Sequence, residues 1–217
     1  LGIVVIQQKT NFLQGIGLVK RGDMTPNFYA TGVEKEICDE IQSWSKNIVE
    51  KPNPYFNNLP SCPYARQAWK TDKVSFLFKK DGGFQDLYTV VSSFNDELDL
   101  VMLVDLAFEK DPEAFHAYLE DLNTVISNGM FIDKDIWLMG FHPYDDENDY
   151  IDDSTFMNAV EQEYAIIFIQ RLSKLQESAD MIAKKGYYDQ YFEEYDADAI
   201  FKKREDFYRR LHNGYET

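Results

Sequence analysis

Two side chains about eighty residues apart carry the most reactive chemistry in this sequence: Cys62, in Leu59-Pro60-Ser61-Cys62-Pro63-Tyr64-Ala65, and His142, in Gly140-Phe141-His142-Pro143-Tyr144. A thiolate is a nucleophile and a soft metal ligand, and an imidazole moves protons or coordinates a metal near neutral pH. If the two meet in space, they form a thiol–imidazole site with His142 as base or co-ligand to Cys62. Cys62 stands just before a predicted helix start, where backbone N–H groups favour the thiolate. Arg66, four residues on, would add positive charge and orient an anionic substrate group. The competing readings are structural: Cys62 as a small apolar residue in a tight proline turn, and His142 as a ring bonded to backbone where a strand ends.

Other constellations are weaker. Asp145-Asp146-Glu147-Asn148-Asp149 with Asp152-Asp153 puts six acids into nine residues. Such a run could hold a hard cation, and His142, Asp145 and Asp149 are its candidate ligands. The calcium-loop pattern fails, because Tyr150 stands where it needs Gly and Phe156 where it needs Glu, so a solvated acidic loop is the stronger reading. Asp81-Gly82-Gly83 lacks the Gly-Lys-Ser/Thr ending of a phosphate loop, and Gly15-Ile16-Gly17 lacks the third glycine of a dinucleotide fingerprint. No motif names a cofactor. His116 and His212 fall on predicted helices and read as solvated surface residues.

The elements that must position these groups follow from periodicity and punctuation. Ile3 to Gln7 reads as a strand. Residues 33–50 read as an amphipathic helix with Val33, Ile37, Ile41, Trp44 and Ile48 on one face and Cys38 beside it. Pro52, Pro54, Pro60 and Pro63 then make a stiff loop. Val74–Phe78, Leu100–Val104 and Ile136–Met139 read as strands, the second buried on both faces. Between them lie a helix from Asp86 to Leu98 and one opened by Asp111-Pro112, with Asp as cap and Pro in the first turn. A long helix is expected from Ser154 to about Lys185, stopped by Gly186. This order predicts an α/β (or α+β) fold, a three- or four-stranded sheet with helices packed on it and parallel neighbours joined by crossovers. The expected organisation is an N-terminal extension over residues 1–32, one α/β domain over 33–186, and a helical appendage over 187–217 rich in Tyr and Phe.

Composition narrows the classes. The chain has 217 residues, 44% of them hydrophobic, which argues against global disorder. No run approaches the length of a membrane span. A net charge of −16 argues against general nucleic-acid binding. Two cysteines make no disulfide framework, and a reduced, cytoplasmic protein is the default.

The two motifs resemble those of a family of small bacterial proteins of unknown function. Those proteins carry Leu-Cys-Pro-Phe-Ala after a Trp-containing amphipathic helix, and later a strand ending in Phe-His-Pro followed by a polar loop and a helix. Here the similar stretches are Trp44, Ser61-Cys62-Pro63-Tyr64-Ala65 and Phe141-His142-Pro143, within roughly residues 33–175. Tyr64 replaces Phe, and residues 1–32 and 187–217 look like additions. The resemblance implies that Cys62 and His142 share a site and supplies no reaction. The sequence therefore leaves two readings. One is an α/β enzyme with Cys62, His142 and Arg66 acting on a small anionic substrate. The other is a non-catalytic binding or assembly subunit that meets a protein partner or a second copy through residues 187–217.

Overall fold

A computed structural model describes residues 19–20, 32–128, 134–145, 160–189 and 197–213. In chain order its strands are β1 (Val19–Lys20), β2 (Pro52–Asn53), β3 (Leu59–Pro60), β4 (Val74–Lys79), β5 (Leu100–Asp105), β6 (Ile136–Phe141) and β7 (Ala165–Arg171). Its helices are α1 (Gly32–Trp44), α2 (Ala65–Lys70), α3 (Gln85–Ser93), α4 (Pro112–Ser127), α5 (Leu172–Ala183) and α6 (Ala197–Asn213). The expected strand at Ile3–Gln7 lies outside the described residues. No described helix is long and apolar enough to cross a membrane.

The fold is α/β, as the strand–helix alternation predicts. The main sheet runs β1-β4-β5-β7-β6. β4 and β5 are parallel, in register from Val74↔Leu100 to Lys79↔Asp105, and α3 crosses between them. β7 pairs antiparallel with both β5 and β6, so β6 points the same way as β4 and β5. The carboxyl ends of these three strands share one edge of the sheet.

β7 corrects the expected long helix. The apolar positions from Tyr164 to Leu172 fit a helical stripe, but they also fit a strand buried on both faces, and the latter forms. Ile166, Ile167 and Ile169 are β-branched and buried, and the slot between β5 and β6 gives the backbone hydrogen-bonding partners on both sides. Burying each such side chain contributes about 1.5–3 kcal/mol. Among the described residues, α5 is the part of the expected helix that forms, and the chain turns after it at Gly186, whose φ of 75° suits glycine.

Strand alternation sorts the core into two layers. Val74, Phe76, Leu100, Met102, Val104, Phe141, Tyr164 and Ile166 face α1 and α2. Leu77, Val101, Leu103, Leu138, Ala165, Ile167 and Ile169 face α3, α4 and Phe207 of α6. The described part of the aromatic C-terminal region is thus built into the chain's own body. Tyr187 stacks on Phe56, with ring centroids 4.9 Å apart, and Arg204 is buried with its Nε donating to Gln176 at 3.1 Å.

Two local features set the site's frame. Ser45–Val49 continues α1 as a π-helical turn, closed by Glu50 N–H donating to the Ser45 carbonyl at 2.8 Å. At the wider turn Ser45 and Val49 are buried in place of the expected Trp44 and Ile48, and at the other end of α1 Val33 is exposed. On the other layer, α4 wraps the free edge of β6. The Asn123 amide donates to the Leu138 carbonyl at 2.8 Å and accepts from its N–H at 2.9 Å, taking the place of a neighbouring strand. This approach needs Gly140, because a Cβ there would lie 2.5 Å from the Phe115 ring and 2.6 Å from Leu119.

Candidate functional site

The Cys62 motif is held from both sides. β2 and β3 pair as a short antiparallel ribbon, with Pro52 opposite Pro60, so the prolines form an ordered turn. Asn53 caps the 3-10 turn inside it by accepting from Tyr55 N–H at 2.9 Å. Asn57 and Asn58 take the left-handed backbone that the reversal requires, with φ of 54° and 60°. Cys62 N–H donates to the Val49 carbonyl at 3.3 Å, and the Tyr187 hydroxyl donates to the Ser61 carbonyl.

The thiol of Cys62 packs against the α1-side cluster. Burial pushes its pKa up, and the nearby N–H groups of Ala65 and Tyr64 oppose this without reversing it. The helix-start effect expected from sequence is therefore present and outweighed, and the thiol stays protonated at neutral pH. Arg66 is exposed, with its Nε 3.5 Å from a Glu50 carboxylate oxygen. Cys38 is buried in the same layer, and burial, reinforced by Asp39 and Glu34, pushes its pKa up to about 12.

His142 belongs to the opposite layer. Phe141 ends β6 on the α1 side, and the next residue turns to the α4 side. Its ring lies 5.3 Å, centroid to centroid, from both Phe108 and Phe115 and is fully buried. Nε2 lies 2.8 Å from the Glu109 carbonyl, and Nδ1 accepts from Tyr144 N–H at 3.2 Å. Carbonyl on one side and N–H on the other assign a neutral ring protonated at Nε2. The structure thus places Cys62 and His142 on opposite faces of the sheet and does not bring them together. Arg66 lies with Glu50 on the Cys62 side.

What His142 does is shape the turn that follows. Asp145 N–H donates to the His142 carbonyl at 3.2 Å, which presents Tyr144 and Asp145 at the carboxyl edge of the sheet. The Asp145 carboxylate lies 2.8 Å from Nε2 of His116 on α4. His116 is 40% exposed at its side chain and Asp145 18%, so the pair is half in water with the imidazole outward. Beside it, Lys110 Nζ lies over the Phe108 ring at 3.9 Å and donates to Glu163 at 3.0 Å. The Tyr144 hydroxyl also bonds Glu163, which raises the phenol's pKa and lowers that of the carboxyl.

One step below this surface lies a buried ion pair. Lys79 and Asp105 end the parallel strands side by side, and Lys79 Nζ donates to both carboxylate oxygens at 2.9 and 2.8 Å. Asp105 also accepts from Ala107 N–H at 3.0 Å. Sheet register sets Lys79, Asp105 and Ala165 in one row. One step beyond the Phe141↔Ile166 pair, His142 falls level with Ala165. Carboxyl ends of parallel strands are where α/β sheets gather ligands, and a desolvated charge pair there is an expensive feature to retain.

Sequence reasoning singled out Cys62, Arg66, His142 and Asp145, and set His116 aside as a surface residue. The pairing of His116 with Asp145 spans 29 positions and has no local signature. Lys79 and Asp105 did leave one: each is the first charge after an apolar run. Among the described residues, no group of three His, Cys, Asp or Glu side chains is placed to hold a metal. Asp149 and the rest of the acidic run lie outside the described residues. No family model, curated protein or solved structure matches the chain.

Proposed function

We propose that this protein is a cytoplasmic α/β enzyme whose working edge is the carboxyl end of β4, β5 and β6, with His116 and Asp145 as its proton-transfer pair. The observation that carries this reading is the 2.8 Å contact between His116 Nε2 and Asp145. With Nε2–H given to the carboxylate, Nδ1 holds the lone pair, and the carboxylate stabilises the imidazolium formed when that nitrogen takes a proton. A small anionic substrate lying beside the exposed Tyr144 ring would meet Lys110 as its counter-charge. His142 acts one layer down as a positioning residue. The neutral, covered thiol of Cys62 has no part in this chemistry, and two unpaired cysteines suit a reducing compartment.

A thermal-shift screen of small anionic metabolites tests the reading with wild type and three variants. Stabilising compounds should lose their effect in His116→Ala and Asp145→Asn and keep it in Cys62→Ser. Compounds that act equally on His116→Ala, or only when Cys62 is present, would overturn it.

A further inference from the structure

We propose that the outer surface of α3 and α4 docks the apolar face of a basic amphipathic helix from a partner protein. The surface is a shallow groove between the two helices, walled by Leu87, Val91, Leu122 and Ile126 and floored by Leu138 of β6. Three large apolar residues stand proud along it: Phe84 at 53% exposure, Tyr88 at 46% and Val125 at 39%. Phe84 packs on Tyr118, with ring centroids 4.9 Å apart, so the apolar strip continues from the start of α3 onto α4. Scattered exposed hydrophobics are ordinary, but a contiguous strip around a groove that reaches the core marks a contact surface. α3 has nine residues, about 13 Å at the helical rise, which matches two to three turns of a docked helix.

Charge selects the occupant. α3 and α4 together contain no Lys or Arg and carry Asp86, Glu113, Glu120 and Asp121. Glu120 is met by Lys203 of α6 at 3.2 Å. At the Phe84 end, burial together with Asp81 and Asp105 raises the pKa of Asp86, against the opposing effect of Lys79, a crowding that a docked cation would relieve. A second copy meeting this face with its own would set acid against acid, in a chain of net charge −16.

The test uses the full chain and three labelled synthetic peptides. One is a helix with Leu at every third or fourth position and Lys elsewhere. The second has the same composition scrambled to remove the apolar face, and the third has Glu in place of Lys. Fluorescence anisotropy should show saturable binding of the first alone. Tyr88→Glu or Val125→Glu should weaken it by at least about tenfold, and Asp121→Lys should weaken it while improving the Glu peptide. Both first positions are exposed, and circular dichroism confirms that the variants fold. No saturable binding, equal binding of the scrambled peptide, or indifference to both groove variants would each overturn the proposal. So would light scattering that finds a wild-type dimer dissolved by Tyr88→Glu, because the face would then belong to a second copy.

Discussion

The two faces of one sheet bury their ionisable groups in opposite ways. On the α1 face the thiols and phenols are held neutral. Burial pushes up the pKa values of Cys38, Cys62, Tyr64 and Tyr164, and the Tyr164 hydroxyl donates to Glu40 at 2.6 Å. Carboxylates there behave differently: Glu40 accepts that bond, and Glu34 is paired with Lys80 at the rim. On the α4 face Lys79 and Asp105 are buried as a pair of full charges, and His142 is wired at both nitrogens. This second face leads its polar groups outward through Asp145 to a half-exposed His116, whereas the chain of bonds on the α1 side runs from Trp69 through Ser45 and Glu50 to Arg66. Reactive residue type is therefore a poor guide to a working site. Polar chemistry needs an environment that keeps the charged form available and a path to solvent, and the α4 face supplies both.

The sharpest way to break this contrast is to unbalance the buried charges. Lys79→Met leaves the Asp105 carboxylate buried without its cation, and urea unfolding should show a loss of about 3–5 kcal/mol. Lys79→Met with Asp105→Leu removes both charges and should recover most of that loss. A single variant that costs under about 1 kcal/mol would mean that water reaches the pair and that the two faces do not differ in kind. His142→Ala comes next, at about 3 kcal/mol, since it empties the space between Phe108 and Phe115 and orphans the Glu109 carbonyl.

The α1 face has its own signature in alkali. Cys38 keeps its proton in the folded chain until about pH 12, against an ordinary value of 9.0. Between those values the unfolded state loses the proton first, so stability is full below pH 9 and falls as pH rises toward 12. At pH 10 the loss is about 1.4 kcal/mol, and the raised pKa of Cys62 acts in the same direction. Denaturant melts from pH 8 to 10.5 should show the decline, and Cys38→Ala should flatten it. An unchanged slope would mean that the thiol is not held neutral by burial.

Where sequence and structure agree, the signal was local. β5 reads as buried on both faces because Leu100–Val104 is unbroken apolar, and α4 begins where Asp111-Pro112 says it must, with the Asp111 carboxylate accepting from Glu113 N–H at 3.0 Å. The β7 segment reads as helix because a short apolar run fits a helical stripe and a buried strand equally well. What decided it was an unfilled slot between two strands far away in sequence. The site shows the same divide. Cys62 and His142 stand out by residue type and proline context, but which face each meets depends on strand parity, and one step along β6 separates the layers. His116 gave no signal, since its partner lies in another loop.

The smallest expected effect is the one that bears most directly on function. His116 is 40% exposed at its side chain, and an ion pair so placed contributes little, so His116→Gln should change stability by no more than about 0.5 kcal/mol. The two rings should nevertheless differ sharply in chemistry. Diethyl pyrocarbonate, followed by peptide mapping, should modify His116 in the native protein and leave His142 on the order of tenfold slower, limited by opening of the fold. Ring nitrogen NMR adds the discriminating readout. Asp145→Asn should redistribute the His116 tautomers while His142 stays protonated at Nε2, because its carbonyl and N–H partners are untouched. If His142 reacted as fast as His116, it would be open to solvent, and the role of a fixed support beneath the His116 pair would pass to some other residue.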